Sequence, residues 1–198
     1  MSDPKSHTNI AILASGSGTN AENIIRYFKD HKEINVSLLI SNKENAKALD
    51  RAKKHNIPVE VIPNEQWEDS KYTLAVFKKY DIDFIVLAGF LILVPPWLIK
   101  EYNNKIVNIH PALLPEFGGK GMYGKKVHEA VINKGKDESG ITIHYVNENY
   151  DEGDIIFQAK CKVPEDRSPD SLADKVHELE YEFYPKVIEG IIMNKINI

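Results

Sequence analysis

The chain has 198 residues, 42% hydrophobic and 27% charged, with a formal charge of -4 and a pI near 6.0. That composition describes a globular protein able to bury a substantial core. It offers no broad basic surface, so nucleic acid is not an expected partner. The single cysteine, Cys161, excludes an internal disulfide and a zinc site of several thiolates. The longest apolar run, residues 84–94, is too short to span a bilayer and stops at Pro95-Pro96. Residues 1–8 lack the apolar centre of a signal peptide. A cytoplasmic protein is expected, with no membrane partner and a disordered start over residues 1–8.

In chain order, residues 9–14 form an apolar run that breaks into Ser15-Gly-Ser-Gly-Thr-Asn20, after which Ile24, Ile25 and Phe28 recur at helical spacing. This predicts strand, glycine turn, helix. Strands follow at 36–40 and 59–62, with a helix at 46–55 between them. A helix is predicted over 65–80, then strands at 84–88 and 104–110. Residues 115–124 carry several glycines and predict a loop, followed by a helix at 125–133. Residues 140–146 and 155–163 alternate with period two, and 147–154 have the composition of a hairpin connection. Ser168-Pro169 opens a helix to about residue 193, with Leu172, Val176, Leu179, Phe183 and Val187 on its packing side. Strands alternating with helices imply an α/β, Rossmann-like fold. Its sheet is mostly parallel and doubly wound, with an added C-terminal β-hairpin and a long final helix. No repeat or linker interrupts it, so residues 1–198 are expected to be one domain.

Three stretches could carry chemistry. Asn108 and His110 are two apart and share one face of a strand. Pro111 holds His110 extended and ends the strand there. In isolation the pair would equally suit a core strand with two satisfied polar side chains. The turn Gly16-Ser-Gly-Thr-Asn-Ala21 exposes backbone N–H groups at a helix start and suits a phosphate, although a turn without ligand fits as well. No acidic residue stands at 41–43 to take a ribose, and no Gly-Lys-Ser/Thr follows, so neither NAD nor a Walker loop is expected. Asp151 alone would be a turn former. Beside the Asn108 strand it would favour an imidazolium at His110, and the three groups would suit a reaction that develops an oxyanion. His177 and Glu180 are three apart on one helix face, an arrangement that also describes a solvated face. His7, His31, His55, His128 and His144 have no metal-ligand spacing, and no metal is expected.

At these residues the sequence resembles the folate-dependent formyltransferases. The matching stretches are Ile12-Leu-Ala-Ser-Gly-Ser-Gly-Thr-Asn20, Val86-Leu-Ala-Gly-Phe90, Asn108-Ile-His-Pro-Ala-Leu-Leu-Pro115, Gly140-Ile-Thr-Ile-His144, Tyr150-Asp-Glu-Gly-Asp154, and Glu180 with Tyr184-Pro185, in family order over nearly the whole chain. The resemblance implies transfer of the formyl group of 10-formyltetrahydrofolate to the amino group of glycinamide ribonucleotide. It implies Asn108, His110 and Asp151 as catalytic groups, and Gly18, Thr19 and Asn20 as the phosphate turn. Glu180 would receive the substrate amine, with His177 near the phosphate. Leu91, Ile92, Leu93 and Val94 would lie against the folate, together with Asn108 and Asp151.

The chain departs from the commonest pattern at Ile92, where many members have arginine, at Glu116, and in the longer loop 118–124. Two related enzymes, methionyl-tRNA formyltransferase and formyltetrahydrofolate deformylase, carry a further domain that this chain is expected to lack. The alternatives are an N-formyltransferase for a nucleotide amino sugar, or a folate- or nucleotide-binding module without catalysis. A monomer or weak homodimer is expected.

Overall fold

Apolar runs with no polar face become strands covered on both sides. In β1 (Thr8–Leu13) the residues from Ile10 on have no exposed surface. The computed structural model describes residues 7–195, which group into two compact units, one ending at Ile106 and one beginning at Val107. The first unit continues with α1 (Thr19–Phe28), β2 (Ile34–Ser41), α2 (Lys47–Lys54), β3 (Val59–Val61), α3 (Asn64–Trp67), α4 (Ser70–Lys79), β4 (Phe84–Leu87) and α5 (Pro96–Glu101). Its strands lie in the order β3-β2-β1-β4, with β2 parallel to β3 and β1 parallel to both β2 and β4. The chain therefore winds outward from β1 to β3 and then returns to the other side of β1. That reversal is a topological switch point, where open α/β sheets leave a crevice at the strand ends.

The second unit holds β5 (Ile106–His110), α6 (Lys125–Asn133), β6 (Glu138–Tyr145), β7 (Ile155–Lys162) and α7 (Pro169–Ile192). β6 runs antiparallel to both β5 and β7, placing Asn108 opposite His144 and His110 opposite Thr142. The hairpin is the expected one, but β6 does not show an alternating solvent face. It is covered on both sides from Ser139 to His144, because it is the middle strand and α7 packs on it.

Several expectations change. The helix predicted over 65–80 is broken: the Asp69 carboxylate accepts from the N–H groups of Lys71 and Tyr72 and so caps a new helix. α5 was not expected; Pro96 in its first turn starts it. In α7 the buried residues are Leu172, Val176, Glu180, Tyr184, Pro185, Val187 and Ile188, so Leu172, Val176 and Val187 pack as expected and Glu180 and Tyr184 join them. Leu179 and Phe183 flank them, half-buried, with the Phe183 ring 5.0 Å from that of Phe157. Of the start expected to be disordered, residues 1–6 lie outside the described residues, whereas Thr8 is already in β1 and donates to Glu33 O at 2.8 Å. Among the described residues no helix is long and apolar enough to cross a membrane.

Candidate active site

In the first unit the switch point is lined by main chain. Gly18 caps α1 with φ 73°, and a Cβ there would lie 2.5 Å from Cα and Cβ of Ala48. Only glycine combines that backbone conformation with that approach. Thr19 and Asn20 follow as the first residues of α1, so the expected phosphate turn sits at the helix start. The Gly16 carbonyl accepts from Ala48 N at 3.1 Å and the Ser17 carbonyl from Arg51 Nε at 2.9 Å.

The loop after β4 lies beside this turn. Ser15 N donates to Gly89 O at 3.0 Å, and Ser15 Oγ accepts from Leu91 N at 3.0 Å while donating to Asn42 Oδ1 at 2.6 Å. One buried hydroxyl thus ties the turn to the segment expected to meet folate. In that segment Leu91 is 39% exposed, Ile92 and Leu93 are half-buried and Val94 is buried.

The second unit assembles side chains. Asp151 comes from the β6–β7 connection, in the left-handed region at φ 58°, a conformation aspartate tolerates better than most residues. Its Oδ2 stands 3.4 Å from His110 Nδ1, and its Oδ1 accepts from Asn108 Nδ2 at 3.5 Å. The carboxylate therefore reaches both residues of the β5 pair. His144 joins them. Its Nδ1 meets the Tyr145 carbonyl at 2.8 Å, which can only accept, so Nδ1 carries the proton and Nε2 accepts from Asn108 Nδ2 at 3.1 Å. The same reasoning puts a proton on His110 Nε2, 2.8 Å from Phe117 O. Gly119 N donates to Asp151 Oδ2 at 2.9 Å. The glycine-rich loop therefore touches both the imidazole and the carboxylate through its backbone. Thr142 anchors the chain just after His110, accepting from Leu114 N at 2.9 Å and donating to Ala112 O at 2.7 Å.

Burial outweighs the neighbouring charge at His110. Desolvation pushes its pKa below the usual imidazole value, although Asp151 and the Phe117 carbonyl act the other way. The expected stabilisation of an imidazolium by Asp151 is thus present, yet the free protein holds His110 neutral near pH 7. At Asp151 burial raises the pKa, but contact with His144, the charge of His110 and the Gly119 N–H more than compensate, leaving it below the ordinary carboxylate value.

The final helix contributes a buried carboxyl rather than a solvated face. Glu180 is 5% exposed, and His177 on the same side places Nε2 3.9 Å from Glu180 Oε2. His128, from α6, is also buried, and its Nδ1 has no hydrogen-bond partner. Burial, then the charges of His177 and His110, push its pKa down to about 4. Among the described residues no group of His, Cys, Asp and Glu could hold a metal ion.

Sequence reasoning assigned no role to His144, Phe117 or Gly119. His144 could have been found by pairing the alternating strand with the Asn108 strand. The other two act through backbone atoms, which leave no mark in residue type.

In the second unit a β5 strand presents Asn108 and His110 to a hairpin aspartate, and in the first a glycine turn opens a helix at an α/β switch point. The formyl transferase family profile matches residues 8–188, and the chain belongs to that family. Phosphoribosylglycinamide formyltransferases are among its relatives. That of Bacillus subtilis (strain 168) is 32% identical over 187 residues, covering 92% of this chain and 93% of the relative. The chloroplastic enzyme of Arabidopsis thaliana is 40% identical over 193 residues, covering 94% of this chain, which spans only 66% of that relative's length. The crystal structure of the Bacillus halodurans enzyme superposes with a TM-score of 0.85 at 37% identity, covering 96% of this chain and 98% of that one. The Rossmann-like α/β fold with its long final helix is the fold of these structures.

Proposed function

We propose that the protein transfers the formyl group of 10-formyltetrahydrofolate to the amino group of glycinamide ribonucleotide, as in purine biosynthesis. The observation that carries this reading is the placement of Asp151 within reach of both Asn108 and His110. Binding alone would not need a carboxylate, an amide and an imidazole on one another.

Bound formylfolate supplies an activated formyl carbon to the acceptor amine. Asn108 Nδ2 donates to the oxygen that gains negative charge, exchanging its long 3.5 Å contact with Asp151 for that bond. His110 Nδ1, unprotonated and facing Asp151, is the open position for the proton the amine loses. Asp151 relays that proton and holds the imidazolium, which gives the proton up to the folate N10 as the tetrahedral intermediate collapses, its bond to N10 breaks and tetrahydrofolate leaves. The imidazolium forms only as the oxyanion does, which concentrates its stabilisation in the transition state. His144 keeps Asn108 oriented.

Gly18, Thr19 and Asn20 are assigned to the acceptor's phosphate, Glu180 to its amine, and His177 to the phosphate as well. The exposed apolar surface of Leu91, with Ile92 and Leu93 beside it and Val94 beneath, fits one face of a flat ring system, so this segment is assigned to folate along with Asn108 and Asp151. The reading extends to one catalytic domain over residues 1–198, working in the cytoplasm as a monomer or weak homodimer.

The test is a single assay with 10-formyltetrahydrofolate and three acceptor conditions: glycinamide ribonucleotide, a nucleotide amino sugar, or none. Folate product only with glycinamide ribonucleotide is expected. Product without acceptor would make the protein a hydrolase. Product only with the amino sugar would give it a different acceptor, and none under any condition would leave a binding module.

A further inference from the structure

Beyond the glycine turn itself, a cluster of charged side chains stands behind it. Glu22, in the first turn of α1, pairs with Arg51 and His55 from α2 and its neighbour, and with Arg26 one turn along α1 at 3.0 Å. Arg51 does more than neutralise it. While one terminal nitrogen bonds Glu22, Arg51 Nε donates to the Ser17 carbonyl at 2.9 Å. In a trans peptide the carbonyl and the following N–H point opposite ways. Holding Ser17 O toward α2 therefore turns Gly18 N–H away from α2. The bond from Ala48 N to Gly16 O does the same for Ser17 N–H. Two donors of the turn are thus aimed outward by acceptors fixed on α2. The cluster also answers an electrostatic problem: an uncompensated carboxylate one turn into α1 would oppose an incoming dianion at the positive helix end. Burial raises the Glu22 pKa, but Arg51, His55 and Arg26 bring it below its ordinary value.

We propose that Arg51 is a positioning residue for the phosphate of the acceptor, fixing the direction of the Gly18 N–H and cancelling the charge of Glu22. This rests on the functional reading above, in which the turn receives the phosphate of glycinamide ribonucleotide. Arg51 touches no substrate in this role. Its effect falls on acceptor binding and leaves the formyl-transfer groups untouched.

The test titrates glycinamide ribonucleotide, and separately its dephosphorylated riboside, into the full chain and into Arg51→Met by calorimetry, with kcat and both KM values measured in parallel. Loss of a charge-assisted bond sets the expectation at about tenfold weaker binding of the ribonucleotide. Riboside binding, kcat and the folate KM should stay within twofold. Equal weakening of ribonucleotide and riboside would mean a general loosening and would overturn the proposal, as would unchanged ribonucleotide binding. Failure of the wild-type chain to bind the ribonucleotide would overturn it too, whereas intact binding without formyl transfer would overturn only the reading of activity. If Arg51→Met does not fold, Arg51→Lys serves. It keeps the charge but not the fork that bonds Ser17 and Glu22 together, and its ribonucleotide binding must weaken at least threefold for the proposal to stand.

Discussion

The two compact units build their candidate sites from different materials. In the first, parallel strands end in loops, and the working surface is backbone: the outward N–H groups near Gly18 and the turn at Gly89, each held by hydrogen bonds from Ala48, Arg51 and Ser15. In the second, antiparallel strands place side chains opposite one another, Asn108 against His144, with Asp151 delivered by the hairpin connection. Backbone sites are fixed by folding, because any residue that preserves the conformation preserves the donors. Side-chain sites are fixed by residue type. Damage to the first unit should therefore appear in stability and binding, and damage to the second in turnover.

The largest expected effect lies in the second unit. Asn108→Ala, His110→Ala and Asp151→Asn should each lower kcat on the order of 100- to 1000-fold. Each should keep a cooperative melt and acceptor binding near that of the parent. The asparagine replaces Asp151 because its left-handed backbone, at φ 58°, would add strain to an alanine variant and blur the comparison. Near-normal turnover in all three would end the catalytic assignment. A loss shared equally between kcat and stability would erase the distinction between the units.

The complementary change is Gly18→Ala. It meets a positive φ and a Cβ 2.5 Å from Ala48, so about 2 kcal/mol or more of stability should go, read from urea denaturation. Acceptor binding should weaken because α1 or α2 must shift to make room. The first unit predicts this combined loss. A variant as stable as the parent with only kcat reduced would contradict it.

These differences also explain which parts were legible in the sequence. Unbroken apolar runs identified β1, β2 and β4, and the glycine turn was readable because a positive φ demands glycine. Asn108, His110 and Asp151 were visible as chemistry-bearing types bounded by proline and turn residues. Glu180 was harder. A stripe drawn through Leu179 and Phe183 leaves it outside, whereas the four-residue step from Leu172 through Val176 carries Glu180 into the packed face ahead of Tyr184. The break between α3 and α4 turned on the Asp69 cap, whose bonds outweigh the weakly apolar pattern across 65–80. His144 was hidden because its meaning depends on strand register. Phe117 O and Gly119 N were invisible because the atoms that act there belong to every residue alike.

A last expected effect, visible only in acid, separates the units by pH. In the first, Glu22 is held charged below its ordinary pKa, so its stabilisation persists above the unfolded value and fades only as pH falls through the lowered one. In the second, His128 is held neutral with a pKa of about 4, and His110 is lowered in the same sense. A histidine whose folded pKa is depressed binds more protons when unfolded. Its contribution is complete above about pH 6.5 and is lost as pH falls from there toward the folded value. For His128 alone that loss reaches about 2.5 kcal/mol by pH 4.5. His128→Leu removes the titrating group, and since His128 Nδ1 has no hydrogen-bond partner, the apolar replacement strands little. Urea midpoints at pH 7.0, 5.5 and 4.5 should show the variant losing less stability than the parent as the solution is acidified. Parallel curves would mean that His128 is hydrated or protonated in the folded protein. The acid sensitivity between pH 6.5 and 4 would then have to come from His110, whose burial is opposed by the charge of Asp151.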